Sequence, residues 1–115
     1  VLCDTRVVAD TPEAAAKRLE VAQVAEQQGT RAAVAPMLEK LLAPESLQDA
    51  ACVETVKAMM FGTPAQTVSR SQRAMAVRNE FASLLPEVDI PTLVVCGQQD
   101  GISPASEMQA CACQI

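Results

Sequence analysis

Two short apolar runs, Val1–Cys3 and Ile90–Cys96, flank a long stretch whose apolar residues recur every three or four positions. Ile90-Pro91-Thr92-Leu93-Val94-Val95-Cys96 is β-branched and almost wholly apolar, the mark of a strand buried on both faces of a parallel sheet. Val1-Leu2 runs directly into Cys3-Asp4-Thr5 and reads as the tail of a second such strand. A purely helical stretch between two buried-type strands is an odd inventory, and an insertion between neighbouring strands explains it. The expected fold class is therefore α/β and predominantly helical. Residues 1–5 form a strand, residues 10–80 hold four inserted helices, and residues 90–115 form a strand, a loop and a C-terminal helix.

The helix boundaries follow from local chemistry. In Asp10-Thr11-Pro12-Glu13, Asp10 or Thr11 serves as the cap, Pro12 belongs in the first turn and Glu13 favours the positive end of the helix dipole. This first helix should run from Pro12 to Gln28 and stop at Gly29, with Leu19, Val21, Ala22, Val24 and Ala25 on its apolar side. Val34, Met37, Leu38, Leu41 and Leu42 predict a second helix, limited or bent by Pro36 and ended by Pro44. Cys52, Val53, Val56, Met59 and Met60 predict a third, closed by Gly62. A more polar fourth helix, Pro64 to Val77, is anchored by Val68 and Met75, and Pro104 opens the last one, which reaches Cys113.

The 115 residues fit one domain with one core. Half are hydrophobic but only 2% are aromatic, so the core is built from Ala, Val, Leu, Ile, Met and Cys. The net charge of -5 and pI near 4.6 argue against nucleic acid, since phosphate binding needs clustered cations. Arg70, Arg73 and Arg78 come close together but have no aromatic residues between them, and read as a solvated helix face. No run of about 18 apolar residues and no signal-peptide pattern occurs, so the expectation is a soluble cytoplasmic protein without membrane contact.

The five cysteines, an odd number without a secretory signal, point to reduced thiols. Cys3 and Cys96 sit in apolar runs and are expected to be small buried side chains. Cys111 and Cys113 make a C-x-C pair, but zinc needs about four ligands, histidine is absent, and residues two apart on a helix face nearly opposite ways. No metal and no cofactor is expected.

Ile90-Pro91-Thr92-Leu93-Val94-Val95-Cys96-Gly97-Gln98-Gln99-Asp100-Gly101-Ile102-Ser103-Pro104 resembles the penultimate-strand segment of α/β-hydrolases, which ends with the acid of the catalytic triad. Val1-Leu2-Cys3-Asp4-Thr5-Arg6 resembles the strand after the nucleophile helix in that family, and Ala9-Asp10-Thr11-Pro12-Glu13 the start of its lid. The resemblance implies that Asp100 is the acid of a Ser-His-Asp triad and that the helices are lid helices. Such an acid holds the imidazole in the right tautomer and stabilises the imidazolium formed during acyl transfer.

The family also needs a G-x-S-x-G elbow and a histidine. None of the four glycines, Gly29, Gly62, Gly97 and Gly101, brackets a serine in that pattern, and the chain has no histidine. Both elements would lie beyond Val1 and Ile115, so the chain reads as an internal segment of an esterase- or lactonase-like parent acting on a small apolar ester, catalytically incompetent by itself. The competing reading is a small helical interaction protein of hydrolase descent. It would act as a homo-oligomer through the strand edges at Val1–Cys3 and Leu93–Cys96.

Overall fold

The computed structural model describes residues 1–115, which fall into two units: Asp10–Arg78, and Val1–Ala9 together with Asn79–Ile115.

The Asp10–Arg78 unit is helical. Helix α1 spans Pro12–Gln28, and of its two candidate caps Thr11 is the one used, its Oγ1 accepting the Ala14 N–H at 3.2 Å. The chain leaves α1 through Gly29, whose φ of 86° and ψ of 171° lie in a region essentially reserved for glycine. A Cβ added there would meet nothing within 4 Å. Gly29→Ala is thus expected to cost about 1–2 kcal/mol from backbone strain alone, with no change in packing. Urea unfolding followed by helical circular dichroism measures this, and an unchanged midpoint would refute it.

The predicted second helix is broken into three pieces and begins early: α2 at Thr30–Val34, a 3-10 turn at Ala35–Met37, and α3 at Leu38–Leu41. Pro36 supplies the cause, because its missing N–H removes an α-helical bond and the chain tightens there. Leu42 is already extended, so the helix ends before Pro44. Helix α4, Ala50–Gly62, is capped by Asp49, whose Oδ1 accepts from the amides of Ala51 and Cys52 at 2.9 and 3.2 Å. Its expected apolar stripe is only half-buried at Cys52, Val53, Val56 and Met60, and Met59 is 71% exposed. Helix α5 is Ala65–Ala76, with Pro64 just outside it as the cap.

Helices α1 and α5 pack together. Ala22 and Ala25 are fully buried, and their small side chains let the helices approach closely. Ala25, Ala33, Val34 and Val68 form the core, with Val21, Val24, Met60 and Phe61 against it. Leu19, expected on the apolar side, is 45% exposed. On α5 the buried residues are Val68, as expected, but also Ser69 and Gln72. These polar groups find partners: Ser69 Oγ donates to the Glu26 carboxylate, which also accepts from Arg73 at 3.2 Å.

The Asp10 side chain, 1% exposed, accepts from both Arg18 and Arg78. Arg18 also donates to Gln72 Oε1 at 3.3 Å. The expectation that Arg70, Arg73 and Arg78 form a solvated face holds for Arg70 and Arg73, both exposed, and fails at Arg78. Arg73 is paired with Glu26, and Arg78, with a side chain 22% exposed, is drawn inward because Asp10 is buried and needs a cation. The hydrogen bond from Arg18, then the charges of both guanidiniums, holds the Asp10 carboxyl below its usual range against the opposing effect of burial.

In the other unit, strand β1 (Leu2–Cys3) pairs in parallel with β2 (Val94–Val95), Leu2 opposite Val94 and Cys3 opposite Val95. The Leu2 N–H donates to Leu93 C=O at 2.8 Å and the Asp4 N–H to Val95 C=O at 3.0 Å. The strand expected over Ile90–Cys96, buried on both faces, is shorter and half-exposed, with Ile90 at 67%, Leu93 at 59% and Val95 at 44%. Pro91 has no amide to donate, and a sheet of two strands leaves each strand one free edge. Beyond β1, Val7 C=O accepts from the Phe81 N–H at 2.7 Å and the Ala9 N–H donates to Glu80 at 3.0 Å. A 3-10 segment at Ala82–Glu87, which periodicity did not announce, buries Leu85. Helix α6, Ala105–Ala112, buries Met108 and Cys111.

All five cysteines are free thiols. Cys3 is exposed and Cys96 half-buried, contrary to expectation, because their strands are covered on one side at most. Cys111 is buried and Cys113 exposed, as opposite helix faces require. No helix is long and apolar enough to cross a membrane.

Candidate functional site

Parallel strands bring their carboxyl ends to the same edge, and the residues that follow them meet there. After β2 the chain turns tightly, with the Asp100 N–H donating to Gly97 C=O at 3.1 Å, and reaches α6 at Ala105. Asp100 folds its own side chain forward: Oδ1 accepts from the N–H groups of Ile102 and Ser103 at 2.6 and 2.8 Å. Those backbone bonds, Ser103 first, hold its carboxyl below the usual carboxylate range, so it is ionised at neutral pH.

Asp4, immediately after β1, arrives at the same edge in the left-handed conformation, φ 44°. Its Oδ1 accepts the Gly97 N–H at 3.1 Å, and its C=O accepts from Ser103 Oγ at 3.3 Å. Ser103 is 2% exposed and also accepts at its C=O from the Cys96 thiol at 3.2 Å. Sequence reading singled out Asp100 and missed Asp4 and Ser103. The available signal was the place of Asp4 directly after an apolar run, whereas Asp100 was singled out by the resemblance of its segment to the acid strand of α/β-hydrolases.

One donor atom from each of Asp4, Cys96 and Asp100 lies within 4.8 Å of the others. Burial first, then the charges of Asp4 and Asp100, pushes the Cys96 thiol up, and that thiol donates to Ser103 C=O. Cys111 and Cys113, considered for a metal above, are not in the cluster.

The helical unit holds a groove of about 560 Å³ lined by Arg31, Ala35, Glu54, Lys57, Ala58 and Phe61. The Arg31 guanidinium stacks on Phe61 at 4.6 Å, and Lys57 pairs with Glu54 at 2.8 Å. The groove lining holds no hydroxyl or thiol side chain, and its one carboxylate, Glu54, is engaged by Lys57.

What the Asp100 edge does chemically is limited and specific. A fixed carboxylate orients and polarises a neighbouring donor. Acyl transfer needs an activated nucleophile and a base besides, and the chain has no histidine.

No protein-family model matches the sequence, and no curated protein matches it. Among solved structures the chain is similar to a thermophilic esterase from Thermogutta terrifontis, determined with malate bound. The two share 35% identity and a TM-score of 0.93 over 99% of this chain and 42% of the esterase chain. The chain thus spans less than half the length of that esterase, and its fold, mostly helical with two short parallel strands, is hydrolase-like.

Proposed function

We propose that this chain is the lid-and-acid portion of an α/β-hydrolase with esterase-type chemistry, in which Asp100 is the triad acid. The observation that carries the reading is the Asp100 carboxylate, fixed by two backbone amides just beyond the carboxyl end of a parallel strand, in a chain that superposes on part of an esterase. In the complete site the carboxylate receives the N–H of an imidazole, holds its tautomer and stabilises the positive charge formed as the imidazole takes the nucleophile's proton. The nucleophile and the histidine come from sequence other than these residues. The Asp10–Arg78 helices are the lid, and the substrate is a small apolar ester.

The test is a chimaera in which residues 1–115 replace the aligned segment of the Thermogutta terrifontis esterase. Hydrolysis of a chromogenic acyl ester above buffer is expected from the chimaera and none from the 115-residue chain alone. A folded chimaera without turnover would sink the reading, as would turnover by the chain alone.

A second reading has its own support. Val1, 81% exposed, and Leu93, 59% exposed, directly precede strands that each have an unpaired edge, which suits a homo-oligomer formed through those edges. A discrete dimer in sedimentation, with cooperative unfolding, would favour it.

A further inference from the structure

All three polar groups of Asp4 point into one segment. Its N–H donates to Val95 C=O at 3.0 Å, its carboxylate accepts from the Gly97 N–H at 3.1 Å, and its C=O accepts from Ser103 Oγ at 3.3 Å. Residues 95–103 are the segment that carries Asp100. Ser103 closes the ring, since its N–H goes to Asp100 Oδ1 while its hydroxyl goes to Asp4. To make these bonds Asp4 takes a backbone conformation, φ 44°, that an L residue adopts at a cost and that Asp and Asn tolerate best after glycine. A strained residue persists where the contacts around it over-determine its position, and here they all belong to the acid loop.

We infer that Asp4 is a positioning residue for Asp100: through its three hydrogen bonds it sets the loop after β2 and thereby the direction in which the Asp100 carboxylate is presented. The inference deepens the hydrolase reading of Asp100 and rests on it. The Asp4 carboxylate also lies beside that of Asp100, one oxygen of each within 4.8 Å of the other. Asp4 acts on the loop through Gly97 and Ser103, and the bonds it makes are present before any imidazole arrives, which is the preorganisation an acid of this kind requires.

Two substitutions separate side-chain hydrogen bonding from backbone strain. Asp4→Asn keeps an acceptor oxygen for Gly97 and tolerates the positive φ, while Asp4→Gly relieves the strain and removes the acceptor. Amide hydrogen exchange by NMR on the 115-residue chain reads the result at Gly97, Ile102 and Ser103. In Asp4→Gly these amides are expected to exchange about tenfold faster, and in Asp4→Asn at near the wild-type rate. Exchange in Asp4→Gly equal to wild type would overturn the inference, and so would equal acceleration in both variants. The measurement needs no turnover, so the two readings fail separately: an inactive chimaera sinks the hydrolase assignment, whereas an active one with exchange unmoved in Asp4→Gly sinks only the role given to Asp4.

Discussion

Asp100→Asn in the esterase chimaera is expected to lower kcat by about four orders of magnitude, with KM changed little. The amide keeps the oxygen and loses the charge. Its oxygen still accepts from Ile102 and Ser103, so the loop geometry survives and folding is not the cause of the loss. The negative charge is gone, and the remaining NH2 group presents a donor where the imidazole needs an acceptor. The histidine then adopts the wrong tautomer and its cation goes uncompensated in the transition state. Because substrate binding does not use this carboxylate, the loss falls on kcat. Steady-state hydrolysis with circular dichroism as a folding control measures it, and a variant within tenfold of the parent would remove Asp100 from the mechanism. The Ile102 and Ser103 amides hold the carboxyl below its ordinary value. The loop's contribution to stability is therefore fully present above the unfolded value near 3.8 and is lost as pH falls through the lower folded one.

Asp10→Ala is expected to destabilise the chain by about 3 kcal/mol, the low end for breaking a buried pair. The Asp10 carboxylate is 1% exposed and serves two guanidiniums that are themselves 23% and 22% exposed. Removing it leaves two cations beside each other, poorly hydrated and repelling, which costs more than the attraction lost. The low end is expected because both arginines keep some contact with water. Acid reports on the same group: with its carboxyl held down chiefly by the Arg18 hydrogen bond, Asp10 contributes stability above about 3.8 that disappears as pH drops through its lower folded value. Urea unfolding of wild type and variant at neutral pH and in acid should therefore converge at low pH, and a constant difference would contradict the assignment.

Reading the sequence succeeded where one local cause decides the outcome. Pro12 and Thr11 start α1, Gly29 ends it, and Pro104 precedes α6. Asp100 was singled out by the resemblance of Ile90–Pro104 to the acid segment of α/β-hydrolases, and not by a local cause of that kind. Reading failed where partners distant in sequence decide. Arg78 looks solvated until Asp10, far away along the chain, claims it. Ser69 and Gln72 look like surface residues until Glu26 and Arg18 answer them. Apolarity along Ile90–Cys96 describes what a strand would bury with neighbours on both sides, and says nothing of how much is covered when β1 is its one neighbour. Asp4 escaped notice because its role lies in the backbone as much as in the carboxylate, and φ is not written in a sequence.

Asp10 and Arg78 are the first and last residues of the helical unit, and they are bonded to each other. A segment whose two ends meet in this way behaves as a cassette: exchanging its contents for another helical insert of different length leaves the spacing at the splice points unaltered. Such an exchange keeps the join intact only if the acidic and basic residues at the seam travel together.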